Sequence, residues 1–272
     1  MIFFPTAKIN IGLRITDKRP DGFHNLETIF YPVGLSDALE FVVSDNQNGK
    51  DNLNVTGIDT GSEPDENLVM KTIMNLRKYS RFPLLKIHLH KAIPVGAGLG
   101  GGSSDAACLL KIVNKHLGLN INIQTLKSIA LELGSDCPFF IECTPSYGTG
   151  RGEILTSVKP VISGYYFVLL NPGVGIITGE AYRNCIPQMP SDSLLQLIER
   201  PIPEWKGLIL NDFEDYAFQK HPIIGELKED LYKCHALFSL MSGSGSSVYG
   251  IFKEKPLLPE RLKQFKIWEG VL

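Results

Sequence analysis

The stretch Pro94–Ser104 is unusually rich in glycine. Five glycines fall within Gly96–Gly102, and Ser103 and Ser104 follow directly. Glycine accepts positive φ angles and lets ligand oxygens approach backbone N–H groups. The two serines lead into a predicted helix, whose first turn presents unpaired N–H groups and the positive end of the helix dipole. The pattern therefore predicts a phosphate-binding loop.

Two other residues could supply the chemistry of phosphoryl transfer. Lys8 begins the first predicted strand, and Asp136 follows a predicted helix and precedes a Cys-Pro pair. An aspartate can take the proton of an acceptor hydroxyl, and a lysine supplies positive charge to the transferring group. Taken alone, each residue also fits an ordinary structural role, Lys8 as a surface lysine and Asp136 as a turn residue.

A flexible linker and a dinucleotide-binding loop are alternatives for the glycine-rich stretch. A linker does not explain its position between an alternating strand and an amphipathic helix. The spacing Gly96-x-Gly98-x-x-Gly101 fits the dinucleotide fingerprint, but residues 118–125 contain no acidic side chain to bind the ribose. The loop also lacks the Gly-Lys-Ser/Thr of a Walker A sequence.

Hydrophobic periodicity predicts the elements that must position these residues. Apolar residues at helical spacing predict a helix over 106–117 and another over 126–133. Residues 85–90 alternate between apolar and polar and predict a half-buried strand. Further strands are predicted over 8–15, 37–44, 165–170, 236–241 and 247–252, and further helices over 65–79 (capped by Asp65), 178–185, 191–199, 206–219 and 222–236. Interleaved strands and helices indicate a mixed α and β class, with a domain boundary near 155–163.

The composition indicates a globular protein without a broad polyanion-binding surface. Of the 272 residues, 43% are hydrophobic and 21% charged, and the formal net charge is −2. We expect no nucleic-acid or membrane partner from this balance. No apolar run approaches the roughly 20 residues of a membrane helix, and the N-terminus does not resemble a signal peptide, so a cytoplasmic location is expected. Five scattered cysteines are expected to be reduced and to bind no metal.

Several segments together resemble the GHMP kinases, the family of galactokinase, homoserine kinase, mevalonate kinase and phosphomevalonate kinase. The resemblance covers nearly the whole chain. The segments are Ala7–Asn10, Lys18–His24, Pro94–Ser104, Gly134–Phe140, Gly150–Glu153, Asn211–Glu214 and Met241–Gly245. Lys18–His24 and Asn211–Glu214 resemble those members of the family that phosphorylate the 2-hydroxyl of 4-diphosphocytidyl-2-C-methyl-D-erythritol.

The resemblance implies an α+β, two-domain kinase fold. Residues 1–157 would form a ribosomal-protein-S5-like N-terminal domain that binds ATP, and residues 158–272 a ferredoxin-like C-terminal domain. It also implies ATP and Mg²⁺ as cofactors and a small cytidine diphosphate compound as substrate, in the non-mevalonate route to isoprenoids. We expect a monomer or a weak homodimer.

The resemblance also assigns roles to matched positions. Asp136 would be the catalytic aspartate, and Lys8 its partner, which keeps the carboxylate ionised. Asn67 would lie near the adenine, and the Ser104 hydroxyl could reach magnesium; no metal ligand is assigned beyond this. The ATP phosphates would be bound by Pro94, Val95, Gly96, Ala97, Gly98, Leu99, Gly100, Gly101, Gly102, Ser103 and Ser104.

For the substrate, the resemblance places Asn10 in the pocket and His24 at the edge of the cytosine. Phe23 and Tyr182 would sandwich the base, and Thr178 would pack near the cytidine. Stacking on an aromatic ring is worth about 1–3 kcal/mol per base. Phe23 and His24 argue against a kinase for homoserine or mevalonate phosphate, because such substrates carry no base. The presence of Lys8 and Asp136 argues against a non-catalytic nucleotide-binding module.

The chain departs from the usual family pattern at three positions. Phe23 stands where tyrosine is usual, so stacking is kept while the tyrosine hydroxyl and its contact are absent. Ser135 stands where alanine is frequent, a minor change. Asp105 stands where asparagine is common, and a negative charge there is expected to lie beside the phosphates, where it would weaken ATP binding or favour magnesium.

Overall fold

The computed structural model describes residues 1–45, 48–61 and 63–272. Contacts within it divide the chain into two compact units. Unit 1 contains Met1–Ala7, Leu35–Val95 and Gly100–Cys143, and unit 2 contains Lys8–Gly34, Gly96–Leu99 and Thr144–Leu272. This division follows contacts rather than chain order, and the domain boundary expected between 157 and 158 stays a prediction.

The described strands are β1 (Ile2–Phe3), β2 (Thr6–Lys18), β3 (His24–Ser36), β4 (Ala38–Val43), β5 (Asn52–Gly57), β6 (Leu85–Lys91), β7 (Ser146–Thr149), β8 (Ile154–Ser157), β9 (Tyr166–Leu170), β10 (Phe238–Met241), β11 (Val248–Phe252) and β12 (Lys266–Val271). The α-helices are α1 (Leu68–Leu76), α2 (Gly101–His116), α3 (Ile123–Leu133), α4 (Cys137–Glu142), α5 (Thr178–Asn184), α6 (Leu194–Leu197), α7 (Glu214–Lys220), α8 (Pro222–Lys233) and α9 (Glu260–Lys263). Pro64–Glu66 and Ile202–Glu204 form short 3₁₀ helices. The expected α+β class is confirmed.

Unit 1 joins a four-stranded sheet to a group of helices. The strand order is β1-β4-β6-β5, in which β5 runs parallel to β6 and the other pairs are antiparallel. Helix α2 contacts α1, α3 and α4. Its apolar stripe, which includes Ala106, Leu109 and Val113, is buried, as the helical spacing predicts. The first turn of α2 therefore belongs to a helix that is firmly packed in unit 1.

Unit 2 contains two further sheets, with strand orders β2-β3-β7-β8 and β10-β11-β9-β12. The second of these is antiparallel throughout, and α8 packs on β10 and β11. Leu227 and Leu231 of α8 join Val168, Met241 and Val248 in one buried apolar cluster. This packing holds the ends of β10 and β11, and so the turn that connects them.

Strand β3 is the largest element that periodicity does not reveal. Residues 26–31 within it are buried without interruption, so both faces of the strand are covered. Such a strand loses the alternation of apolar and polar residues on which strand prediction depends. Strand β2 is buried in the same way over residues 7–13 and extends beyond the predicted range of 8–15 at both ends.

Several helices differ from their predicted limits. Asp65 lies in the 3₁₀ helix Pro64–Glu66, and the side chain that caps α1 is that of Asn67. The helix predicted over 206–219 begins only at Glu214, because residues 206–208 form a turn and Asn211 forms an isolated β-bridge with Leu13. Among the described residues, no helix combines the length and the apolar character needed to cross a membrane.

Candidate active site

Lys8 is a buried lysine on β2 in unit 2, with only 3% of the residue exposed. Its Nζ donates hydrogen bonds to Oδ1 of Asn10 at 2.6 Å and to the carbonyl oxygen of Gly98 at 3.0 Å. The same Nζ lies 5.5 Å from the ring centre of Phe30. A buried ammonium is costly unless it is hydrogen-bonded. These contacts exclude the surface-lysine interpretation and fix the direction of the ammonium group.

Asn10 connects Lys8 to the rest of the sheet. Its Nδ2 donates to Oγ1 of Thr28 at 2.8 Å, and that hydroxyl donates to the carbonyl oxygen of Gly12 at 2.6 Å. The Tyr249 hydroxyl donates to the carbonyl oxygen of Asn10 at 3.0 Å. This geometry makes Asn10 a positioning residue for Lys8, and the expected contact of Asn10 with substrate stays a prediction.

Gly98 is held by the turn between β10 and β11. Its carbonyl oxygen accepts from Oγ of Ser242 at 2.9 Å as well as from Lys8. Gly98 has φ +78°, and a β-carbon there would lie 1.9 Å from the carbonyl oxygen of Ser242. Both the positive φ and this close approach require glycine. Ser242 therefore fixes the carbonyl group toward which Lys8 points.

Asn211 and Glu214 support that turn. Nδ2 of Asn211 donates to the carbonyl oxygens of Met241 and Gly243, each at 2.8 Å. Oε1 of Glu214 accepts from the Met241 N–H at 3.0 Å, and Oε2 accepts from Nζ of Lys228 at 2.6 Å. Burial raises the pKa of Glu214, and Lys228 acts against that rise. The Asn211–Glu214 motif can be recognised in the sequence. The sequence does not show that its side chains bind the turn between β10 and β11.

The helix that follows the glycine-rich stretch begins in unit 1. Gly100 adopts a left-handed conformation with φ +69° at the N-cap, and α2 starts at Gly101, before the predicted range of 106–117. The Ser104 N–H is already bonded to the carbonyl oxygen of Gly100 at 2.9 Å. The N–H groups of residues 101–103 precede this first intrahelical bond, so they form the part of α2 suited to an anion.

The other residues expected to bind ATP have mixed environments. Ala97 and Leu99 are buried apolar residues that anchor the stretch, whereas Val95 is exposed. The carbonyl oxygen of Ala97 accepts from the Ser247 N–H at 3.2 Å. Asn67 caps α1, because its Oδ1 accepts from the Val69 N–H at 3.0 Å. Its contact with an adenine stays a prediction.

Asp105, whose charge the sequence places beside the phosphates, belongs to a buried ion cluster. Its carboxylate is buried in unit 1, where Oδ2 accepts from Nζ of Lys91 at 2.8 Å, and Lys91 also forms an ion pair with Asp37. Among the described residues, Oδ1 of Asp105 has no hydrogen-bond partner. Burial raises the pKa of Asp105 to about 7; Lys91 opposes this rise and Asp37 reinforces it. The expected effect of Asp105 on ATP binding or magnesium stays a prediction.

Asp136 lies at the N-terminus of α4, a six-residue helix that is not among the predicted elements. Pro138 lies in its first turn, where proline is favoured. Asp136 makes no capping hydrogen bond to α4. Burial raises the pKa of the Cys137 thiol to about 11, although a hydrogen bond with Ser103 acts in the opposite direction. That contact places the start of α4, and with it Asp136, beside the first turn of α2.

The residues expected to bind the base are gathered in unit 2. The His24 and Tyr182 rings are stacked, with centres 5.1 Å apart and planes at 21°, and Phe213 packs edge-on to Tyr182 at 4.9 Å. The face of Tyr182 covered by His24 is closed to a base in this arrangement. A sandwich between Phe23 and Tyr182 therefore requires His24 to move or the other face of Tyr182 to be used, and it stays a prediction.

Two further contacts complete this group. The Thr178 hydroxyl, at the start of α5, lies 3.0 Å from the Ser244 hydroxyl. The structure thus connects Thr178 to the same turn that holds Gly98. Phe23 is 52% exposed, and the Arg151 guanidinium lies 4.6 Å from its ring centre. Arg151 is a neighbour of Phe23 that sequence reasoning missed, although its segment Gly150–Glu153 carries part of the resemblance.

Comparison with known proteins shows the family of this chain. The model of the GHMP kinases N terminal domain matches residues 67–143, and that of the GHMP kinases C terminal domain matches residues 194–266. The 4-diphosphocytidyl-2-C-methyl-D-erythritol kinase of Bacteroides thetaiotaomicron is 48% identical over 260 residues, which are 96% of this chain and 95% of that protein. The kinase of the same name from Parabacteroides distasonis is 47% identical, with full coverage of both chains.

A solved structure gives the same result at the level of fold. The crystal structure of a 4-(cytidine 5'-diphospho)-2C-methyl-D-erythritol kinase superposes with a TM-score of 0.78 at 28% identity, covering 99% of this chain and 98% of that one. The two family models cover the glycine-rich stretch and Asp136, and also part of the C-terminal half of the chain. The chain belongs to the GHMP kinase family.

Proposed function

We propose that this chain uses ATP to phosphorylate the 2-hydroxyl of 4-diphosphocytidyl-2-C-methyl-D-erythritol. This reaction belongs to the non-mevalonate pathway to isopentenyl diphosphate and terpenoids. The observation that carries the proposal is the 48% identity, over 96% of the chain, with a relative that bears the name of that kinase. The geometry of the candidate residues supports it independently of the name.

The N–H groups at the start of α2 support a role in binding phosphate. They precede the first intrahelical bond, made by Ser104, and follow a left-handed Gly100. An anionic phosphate is stabilised there by the N–H groups and by the helix dipole. We assign the β- and γ-phosphates of ATP to this turn, and Asn67 to the neighbourhood of the adenine.

Lys8 and Asp136 are assigned to the transfer itself. Phosphoryl transfer depends mainly on positioning and on stabilising charge. The Lys8 ammonium is held by Asn10 and Gly98, so it does not have to be oriented when the reaction occurs. Asp136, whose side chain is not used to cap α4, would orient the acceptor hydroxyl and take its proton.

Magnesium fits this scheme as a cation that arrives with ATP. Among the described residues, no group of three or more His, Cys, Asp or Glu side chains could hold a metal ion. Ser104 is 3% exposed, so its hydroxyl is poorly placed to be a ligand. Magnesium usually keeps several waters and is bound by phosphates and one or two protein groups. We therefore assign its main ligands to the ATP phosphates and water.

The aromatic and polar residues of unit 2 are assigned to the cytidine. Phe23 offers an exposed ring for stacking, and His24, at the start of β3, offers nitrogens for the edge of the base. Tyr182 and Thr178 lie on the same helix, α5, and Thr178 contacts the turn at Ser244. A cytoplasmic location and a monomer or weak homodimer complete the proposal.

A phosphate-transfer assay tests the substrate directly. Purified protein and Mg-ATP are offered 4-diphosphocytidyl-2-C-methyl-D-erythritol, homoserine and mevalonate phosphate in parallel. We expect turnover of the cytidyl compound and none of the others above background. Preferred turnover of either alternative would refute the proposed substrate. Absence of turnover with all three, in protein that binds ATP, would favour a non-catalytic module.

A further inference from the structure

Phe23 belongs to a turn between β2 and β3 that is closed by its own hydrogen bonds. The Phe23 N–H donates to Oδ1 of Asp21 at 3.1 Å, and the Phe23 carbonyl oxygen accepts from the Arg19 N–H at 2.9 Å. The Arg19 guanidinium donates to both carboxylate oxygens of Asp21, at 2.8 to 3.1 Å. The backbone that carries the exposed Phe23 ring is therefore fixed by its own segment.

Arg151 covers one face of that ring. Its guanidinium carbon lies 4.6 Å from the ring centre, within the range of a cation–π contact. A planar guanidinium also stacks on an aromatic face more closely than an ammonium does. Arg151 occupies one face and Phe23 is still 52% exposed, so the face away from Arg151 is the one left for a ligand.

The turn between β7 and β8 holds Arg151 in this position. The Glu153 carboxylate accepts from the Arg151 N–H at 2.5 Å and lies 3.7 Å from Nε of the same residue. The carbonyl oxygen of Gly150 accepts from the Leu26 N–H at 2.8 Å, which ties this turn to β3. Arg151 and Phe23 are thus brought together by two turns whose strands, β3 and β7, are paired.

We propose that Arg151 is a positioning residue for Phe23 and, through it, a determinant of nucleobase affinity; this rests on the proposed cytidyl substrate. The base stacks on the open face of Phe23, and Arg151 restrains the ring from the other side. A ring that is already restrained loses less conformational freedom when the base binds, so the complex is tighter. Because phenylalanine has no hydroxyl group to offer the ligand, affinity at this position depends on the stack and on its support.

The test compares Arg151→Ala and Arg151→Lys with the wild type. Lys255→Ala is the matched control, because Lys255 is another exposed cation over an aromatic ring, 6.0 Å from the centre of Tyr166. For Arg151→Ala, we expect KM for the cytidyl substrate to rise about 5- to 20-fold, while kcat and KM for ATP change by less than about twofold. Arg151→Lys is expected to lie between the wild type and Arg151→Ala.

Binding of cytidine 5'-diphosphate and uridine 5'-diphosphate gives a second measurement. Stacking tolerates any base, because every base has an aromatic face. If Arg151 acts through Phe23, Arg151→Ala raises the Kd of both ligands by the same factor. The ratio of the two Kd values is then unchanged. Removal of a hydrogen bond to the base edge would change that ratio instead.

The outcomes separate this inference from the proposed function. Wild-type protein that turns over the cytidyl substrate, together with an Arg151→Ala protein of unchanged KM and unchanged Kd, would overturn the role of Arg151 alone. An equal rise in KM for the cytidyl substrate in Lys255→Ala would also overturn this role. A changed ratio of the two Kd values would do the same. Wild-type protein that neither binds cytidine 5'-diphosphate nor turns over the substrate would overturn the proposed function and this inference with it.

Discussion

The carbonyl oxygen of Ser242 occupies the space that a side chain on residue 98 would need. A β-carbon on Gly98 would lie 1.9 Å from that oxygen. The Ser242 hydroxyl also donates to the carbonyl oxygen of Gly98 across 144 positions of sequence. Backbone and side chain of Ser242 therefore both act on Gly98. The Lys8 ammonium donates to this carbonyl oxygen of Gly98.

Gly98→Ala should destabilise the protein much more than Gly96→Ala. Both glycines have positive φ, +78° and +65°, so both variants carry the backbone cost of about 1–2 kcal/mol. Only residue 98 meets Ser242, because a β-carbon at Gly96 would find nothing within 4 Å. We expect an additional loss of about 2–4 kcal/mol in the free energy of unfolding of Gly98→Ala, measured in urea. Equal losses in the two variants would contradict the close approach.

Asp136→Asn should lose activity without removing a helix cap. Asparagine cannot accept the hydroxyl proton, so turnover is expected to fall about 10²-fold or more. Asp136 makes no capping bond to α4, and asparagine is as good an N-cap residue, so the N-terminus of α4 should be kept. ATP affinity should also be kept. Glu142→Gln, in the exposed ion pair with Lys127 at the other end of α4, is the control. Unchanged turnover in Asp136→Asn would remove this residue from the mechanism.

Local patterns predicted those elements that have one buried and one exposed face. Strand β6 and helix α2 are of this kind, and both lie where periodicity places them. Strand β3 is covered on both faces, so its sequence has no alternation to detect. Helix α4 is not among the predicted helices, because its six residues are too few for helical spacing to show.

The types of the candidate site residues could be predicted, but most of their partners could not. Glycines followed by serines indicate a phosphate loop from their own conformational properties. In contrast, the partners of Gly98, Asn211 and Asp105 come from distant segments or from the far side of a sheet. Such contacts depend on tertiary packing and leave no periodic signal. The burial of Asp105 is an example, because its position in the first turn of α2 suggested exposure to the phosphates.

Asn211→Ala should destabilise unit 2 through the turn at Met241–Gly243. The variant removes the hydrogen bonds of 2.8 Å to the carbonyl oxygens of Met241 and Gly243, and a third in which Oδ1 accepts from the Phe213 N–H at 3.0 Å. Each buried polar group left unsatisfied costs about 1–3 kcal/mol, so a total loss of about 2–4 kcal/mol is expected in urea unfolding. Asn184→Ala, which removes one exposed side-chain hydrogen bond to Glu180, is the control and should change stability by less than about 0.5 kcal/mol. A loss in Asn211→Ala no larger than in Asn184→Ala would show that the turn does not depend on this side chain.

The ion cluster of Asp37, Lys91 and Asp105 should make stability depend on pH. Burial raises the pKa of Asp105 from 3.8 to about 7 in the folded protein. Asp105 therefore binds its proton more tightly in the folded protein than in the unfolded protein. The stability that comes from this proton is fully present below about pH 4 and is lost as pH rises through about 7. When Asp105 ionises, Lys91 faces two carboxylates with a single charge, and the cluster has a buried net negative charge.

Asp105→Asn should remove this dependence, since the amide is neutral at every pH and close in shape to the protonated acid. The difference in the free energy of unfolding, variant minus wild type, should rise between pH 5 and pH 8 in favour of the variant, by on the order of 1 kcal/mol or more. Urea unfolding of both proteins at pH 5, 6, 7 and 8 measures it. Asp17→Asn, at an exposed position on β2, is the control and should leave the slope unchanged. A difference that is flat with pH, or that falls as pH rises, would mean that Asp105 is ionised throughout this range and that Lys91 compensates for its burial.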